Sequence, residues 1–80
     1  MTKTVIVTGA ARGIGLATTR LFIAEGWQVA MIDRDSEALD DAGPIDGAKP
    51  FVCDVSDPDA VSAMTTAVAA WAGRLDALVN

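Results

Sequence analysis

The chain has 80 residues, 51% of them hydrophobic, a formal net charge of −5, and no histidine or tyrosine. This length allows one small domain over residues 1–80, and the apolar share excludes a disordered chain. The acidic balance argues against a nucleic-acid or anionic-membrane partner, and the single cysteine, Cys53, excludes an internal disulfide framework.

The start Met1-Thr2-Lys3-Thr4 leads directly into a strand-like run, without the basic segment and long apolar stretch of a signal peptide. No apolar run reaches the ~18 residues that span a bilayer. Thr4-Val5-Ile6-Val7-Thr8 is β-branched, lacks a helical period and is bounded by Gly9, which predicts a short strand buried on both sides. Gly9 to Gly15 is a glycine-rich turn. From Ile14 to Glu25 a helix is expected, with Ile14, Ala17, Leu21 and Ala24 as its apolar face and Gly26 as its stop. Trp27-Gln28-Val29-Ala30-Met31-Ile32-Asp33 predicts a second strand that ends in an acid.

Asp35 to Asp41 reads as a short helix capped by Ser36 or Asp35. Gly43 to Gly47 is loop chemistry, and Pro50 to Val55 predicts a third strand containing Cys53 as a buried packing thiol. A reducing, cytoplasmic setting fits that thiol. Ser56 as cap, followed by Asp57, Pro58 and Asp59, predicts a helix start. Val61, Met64, Thr65, Val68 and Trp71 form the expected packed face, and Gly73 the end. Leu75 to Asn80 begins a fourth strand. Strands alternating with helices predict an α/β fold, a Rossmann-like parallel sheet with helices on both faces.

Three features carry chemistry. The first is Thr8-Gly9-Ala10-Ala11-Arg12-Gly13-Ile14-Gly15. Gly9 permits a tight exit from the strand, Gly13 bares the backbone to a pyrophosphate, and Gly15 lets the helix pack closely on the strand. The helix mouth, opening at Ile14, turns N–H groups and a partial positive charge toward the anion. Arg12 either adds charge beside the phosphates or is an exposed turn residue. The turn follows a strand and opens a helix, the context that gives such a motif weight. No Lys-Ser or Lys-Thr pair follows it, so a nucleoside-triphosphate loop of the usual form is excluded.

The second feature is Asp33, 18 residues after Gly15. A carboxylate at the end of the second strand accepts hydrogen bonds from the hydroxyls of an adenosine ribose and repels a 2′-phosphate, which favours NAD over NADP. The neighbouring Arg34 is a competing signal, since a guanidinium can hold that phosphate. The third is Asp54-Val55 at the end of the third strand. Asp54 is suited to an adenine amino group or to capping before Ser56, and Val55 to packing on the base.

With these residues the chain resembles the short-chain dehydrogenases/reductases over essentially its whole length. Thr8 to Gly15 is similar to the TGxxxGxG cofactor motif of that family, Asp33 to its NAD-selecting acid, and Asp54-Val55 to its adenine-contacting pair. Asp76-Ala77-Leu78-Val79-Asn80 resembles the run into its Asn-Asn-Ala-Gly motif, of which only Asn80 is present, with a backbone role at the adenosine ribose. The resemblance implies hydride transfer between NAD(P) and an alcohol or ketone, and a dimer or tetramer for a complete member. It also implies a catalytic tyrosine, lysine and serine. The chain has no tyrosine, and Lys3 and Lys49 lie at a strand entry and in a loop, so no catalytic residue is carried over. Two other readings stand beside the oxidoreductase: a dinucleotide-binding module without chemistry, and an interaction fragment whose unfinished sheet needs a partner. A methyltransferase is more remote, because an acid ordinarily precedes its first glycine where Thr8 stands here.

Overall fold

The β-branched opening run forms the strand that organises the rest. In the computed structural model, which describes residues 2–80, the chain alternates β1 (Thr4–Thr8), α1 (Gly13–Ala24), β2 (Gln28–Asp33), α2 (Ser36–Ala42), β3 (Ala48–Val52), α3 (Pro58–Ala72) and β4 (Ala77–Val79). The strands pair in parallel in the order β3-β2-β1-β4. The chain builds outward from β1 to β3, then returns past β1 to lay down β4. The direction of winding therefore reverses beside β1, where the carboxyl ends of an open α/β sheet leave a crevice.

Strand side chains alternate between two cores. Val5, Val7, Val29 and Met31 face α1 and α2, where they meet Leu39, Leu16, Phe22 and Ile23. Ile6, Ala30 and Ile32 face α3 and pack with Cys53, Met64 and Val68. Both faces of β1 and β2 are thus apolar, as expected for central parallel strands. Each fully buried Val or Ile contributes about 1.5–3 kcal/mol. Among the described residues no helix is long and apolar enough to cross a membrane.

Four expectations shift. The apolar face of α1 is not the predicted one: Ile14 is 87% and Leu21 62% exposed, and Ala17 and Ala24 are exposed as well. Thr19 is buried instead, with Leu16, Phe22 and Ile23 packed on the sheet. Gly15 sets this phase, because a Cβ at that position would stand 2.0 Å from the Gly9 carbonyl oxygen. The helix must turn Gly15 toward β1, which leaves Ile14 about 100° round the axis. The third strand also begins and ends earlier than predicted, at Ala48–Val52. The Cys53 N–H donates to Asp33 O at 3.0 Å, so alternation turns Pro50 toward the open edge, where no donor is required. The cap of α3 is Asp57, not Ser56, and accepts from the N–H groups of Asp59 and Ala60. Thr65 is exposed, while Met64 and Val68 carry the buried face of α3. For α2 the cap is Asp35.

The short β4 is clipped to β1 by Asp76. Its Oδ2 accepts from the Thr4 N–H at 2.8 Å and from Arg74 Nε at 2.8 Å, while Oδ1 accepts from Arg74 Nη2 at 2.6 Å. The Asp76 N–H returns a bond to Thr4 O at 2.9 Å. Arg74 holds the Asp76 carboxyl below its ordinary pKa, the Thr4 N–H adds to this, and desolvation opposes it.

Two outcomes follow from this packing. Alanine in a helix is ordinarily about 1 kcal/mol better than glycine, yet Gly15→Ala is expected to destabilise, because overlap with a backbone carbonyl costs about 1–3 kcal/mol or more. A denaturation midpoint at or above that of the native protein would contradict the close approach. For Asp76, a depressed folded-state pKa contributes stability above the unfolded value of about 4, and that contribution is lost as pH falls through the folded value. Asp76→Asn is therefore expected to lower the melting temperature near neutral pH, with the difference closing below about pH 4. A difference that stays constant across this range would remove Asp76 from the acid response.

Candidate nucleotide-binding site

The turn from β1 to α1 is held by backbone bonds to β2. The Ala10 N–H donates to Ile32 O at 3.1 Å, and the Ala11 N–H donates to Asp33 Oδ2 at 3.1 Å. Ala10 and Ala11 are buried beneath the turn. Gly13 has a φ of +56°, and a Cβ added there would meet nothing within 4 Å, so its bare face opens outward at the helix mouth.

The three helix starts differ. Asp35 and Asp57 cap α2 and α3, with Glu37 and Asp59 in their first turns. At α1 the cap position is Arg12 in extended backbone, its side chain makes no capping bond, and the first turn holds no acid. Among the described residues, α1 is therefore the helix whose leading N–H groups are offered no side-chain acceptor. Such an end attracts an anion by roughly 0.3–2 kcal/mol from the dipole alone, before hydrogen bonds are counted.

Asp33 sits beside this mouth. Its Oδ1 accepts from the Asp35 N–H at 3.1 Å while Oδ2 accepts from Ala11, so both oxygens are oriented by backbone. A carboxylate has about four acceptor sites, which leaves capacity for two hydroxyls. Gly9, Asp33, Arg34, Asp54 and Val55 line one crevice of about 330 Å³ at the carboxyl ends of the strands, with Ser56 at its rim. Asp54 Oδ1 accepts from the Ser56 N–H at 2.9 Å and the Ser56 hydroxyl at 2.7 Å, the capping turn anticipated as one of its two readings. The Ser56 hydroxyl holds the Asp54 carboxyl below the usual range, followed by the Ser56 N–H, with a smaller contribution from the charge of Arg34. Cys53 lies under the crevice, 5% exposed. Burial pushes its thiol pKa up, and the charges of Asp54 and Asp57 push it further. It is a packing thiol rather than a reactive one.

The remaining sequence-predicted residues lie outside this crevice. Gly13, Ile14 and Gly15 form the first turn of α1. Arg12 extends to Asp35 and ion-pairs with it through Nη2 and Oδ2, above a separate hollow with Ala11, Leu16 and Ala38. Asn80 stands at the end of β4, where its Oδ1 accepts from the Thr8 hydroxyl at 2.9 Å, and it lines an apolar hollow of about 280 Å³ with Val55 and Leu78. Sequence reasoning missed the Ala11 N–H as the partner of Asp33, Asp35 as the partner of Arg12, and Thr8 as the partner of Asn80. Only Asp35 carried a signal, as a possible cap.

The family described as short chain dehydrogenase matches residues 3–80. A D-threitol dehydrogenase from Mycolicibacterium smegmatis is 41% identical over 98% of this chain, and the match covers 32% of that protein. A 3-ketoacyl-(acyl-carrier-protein) reductase from Brucella melitensis, complexed with NADH, superposes with a TM-score of 0.89 at 28% identity, covering 95% of this chain and 32% of that one. A metagenomic short-chain oxidoreductase in complex with NADP gives a TM-score of 0.83 at 37% identity, covering 95% of this chain and 37% of that one. The chain thus spans about a third of the length of these relatives. With the glycine turn, the parallel sheet and a family match from residue 3 to residue 80, the chain belongs to the short chain dehydrogenases.

Proposed function

We propose that residues 1–80 form a single dinucleotide-binding domain, and that the protein carrying it transfers a hydride between NAD and an alcohol or ketone. The observation that carries this reading is the uncapped, acid-free mouth of α1, with the bare Gly13 at its lip and Asp33 beside it. Gly9, Gly13, Gly15 and the backbone of Ile14 hold the pyrophosphate, with Arg12 at the edge of that charge. Asp33 accepts the adenosine ribose hydroxyls. Asp54 and Val55 meet the adenine, Arg34 flanks the ribose, and the Asn80 backbone touches it from β4. The residues fit the group because the anion meets donors and the neutral sugar meets acceptors.

When bound, the nicotinamide end supplies or accepts the hydride. This chain's part is to bind and orient the adenosine half. It offers no proton donor with a positioned base, and the tyrosine, lysine and serine that the family resemblance implies have no counterpart in it. Solved relatives carry NADH in one case and NADP in another. The preference for NAD therefore rests on the carboxylate of Asp33. A cytoplasmic setting, supported by the lone buried thiol, and a dimeric or tetrameric assembly belong to the same proposal. The absence of tyrosine and histidine favours a second reading, a binding module without chemistry. NADH binding without turnover on a panel of secondary alcohols and ketones would select it.

Gly13→Val is expected to cost about 1–2 kcal/mol in stability from its positive φ and to abolish NADH binding in calorimetry, because the side chain fills the pyrophosphate position. Unchanged affinity would overturn the placement. Asp33→Ala is expected to bring the NADH and NADPH dissociation constants together by roughly tenfold or more. A ratio equal to that of the native protein would refute the role of this acid.

A further inference from the structure

We propose that the outer face of α1 is a self-association surface, on which a second copy of this chain lays its own α1 in parallel. The proposal is independent of what the crevice binds.

The sheet holds α1 by one side, toward which Gly15, Thr19, Phe22 and Ile23 turn. At about 100° per residue, Ile14, Ala17, Leu21 and Ala24 fall on the opposite side and point away from the domain. All four are exposed, Ile14 by 87% and Leu21 by 62%. Among the described residues, these two are the exposed large apolar side chains that a helix carries, and the others stand on strands or loops. A lone exposed leucine needs no explanation, but an aligned row of apolar residues does. The spacing is that of an a/d seam: Ile14 and Leu21 take the a positions, and Ala17 and Ala24 the d positions. The small d residues let two backbones approach, and the large a residues fill the space between them.

Charge selects the occupant and its direction. In the same repeat Arg20 is a g position and Glu25 an e position, on opposite flanks of the seam. Both are exposed, and neither belongs to the ion pairs of the described residues, Arg12–Asp35 and Arg74–Asp76. In a parallel pair the g position of one helix meets the following e position of the other. Arg20 then meets the partner's Glu25, and twofold symmetry repeats the contact. An antiparallel pair sets g against g, and so brings two copies of Arg20 together. The remaining flank positions, Gly13 and Thr18, are uncharged. One surface thus supplies both halves of the complementarity, which makes a second copy its occupant.

The contact is small. A few seam residues per copy fall well short of the roughly 20–30 per side of a stable interface. The dimer is therefore weak and dissociates on dilution.

Sedimentation equilibrium of the full chain over a roughly hundredfold concentration range reads this association. The mass is expected to rise from 8.2 kDa toward twice that value. Leu21→Gln is expected to stay at 8.2 kDa throughout, and to keep its melting temperature because the side chain stands outside the core. Arg20→Glu is expected to weaken association roughly three- to tenfold, and adding Glu25→Arg to restore it. A native mass that does not change with concentration overturns the proposal. So does association that survives Leu21→Gln, since the contact would then lie elsewhere, as at the open edge of β4. Failure of Glu25→Arg to rescue Arg20→Glu removes the parallel arrangement and the proposal with it. NADH has no part in these outcomes, so the cofactor reading and this inference stand or fall separately.

Discussion

The contact between Gly15 and the carbonyl of Gly9 governs the arrangement of this half-sheet. No side chain fits between them, so the first helix approaches its strand at a distance that only glycine permits. That approach sets the rotation of α1. It turns Thr19, Phe22 and Ile23 toward the sheet and leaves Ile14 and Leu21 at the surface. It also sets where the uncapped N–H groups of the helix emerge, at the carboxyl end of β1 and beside the crevice. The packing of α1 and the position of its uncapped mouth are therefore consequences of one steric fact.

The acidic balance of the chain acquires a structural meaning in this setting. Asp33 receives N–H groups from the glycine turn and the β2–α2 connection, Asp35 and Asp57 cap helices, Asp54 closes a turn on Ser56, and Asp76 clips β4 to β1. Each places a carboxylate where the backbone leaves a donor without an intrahelical or ladder partner. The mouth of α1 is the helix start without such an acid among the described residues. Under the proposed reading, a helix end that receives an external anion has to lack the internal one.

Much of the fold was legible in the chain. The run Thr4 to Thr8, the stops at Gly26 and Gly73 and the strong start around Pro58 are local signals, and the elements stand where those signals place them. Steric preference and capping act within a few residues, so they survive transfer from sequence to structure. The cap of α3 moved by one residue because Ser56 has a competing bond to Asp54. The third strand moved because its limits depend on pairing with β2, which includes the bond from Cys53 to Asp33.

What residue types and spacing determined by themselves was the alternation of strand and helix, the glycine turn after β1, and the acid at the end of β2. What only the tertiary structure decided was which stripe of α1 is buried, which atoms hold Asp33, and that Arg12 meets Asp35 rather than solvent. A helix with apolar residues on more than one side has no preferred rotation until a neighbour supplies one, and here the neighbour is the Gly9 carbonyl. A pair of opposite charges 23 residues apart has no signature in sequence, because its energy depends on a distance that exists only after β1 and β2 have paired.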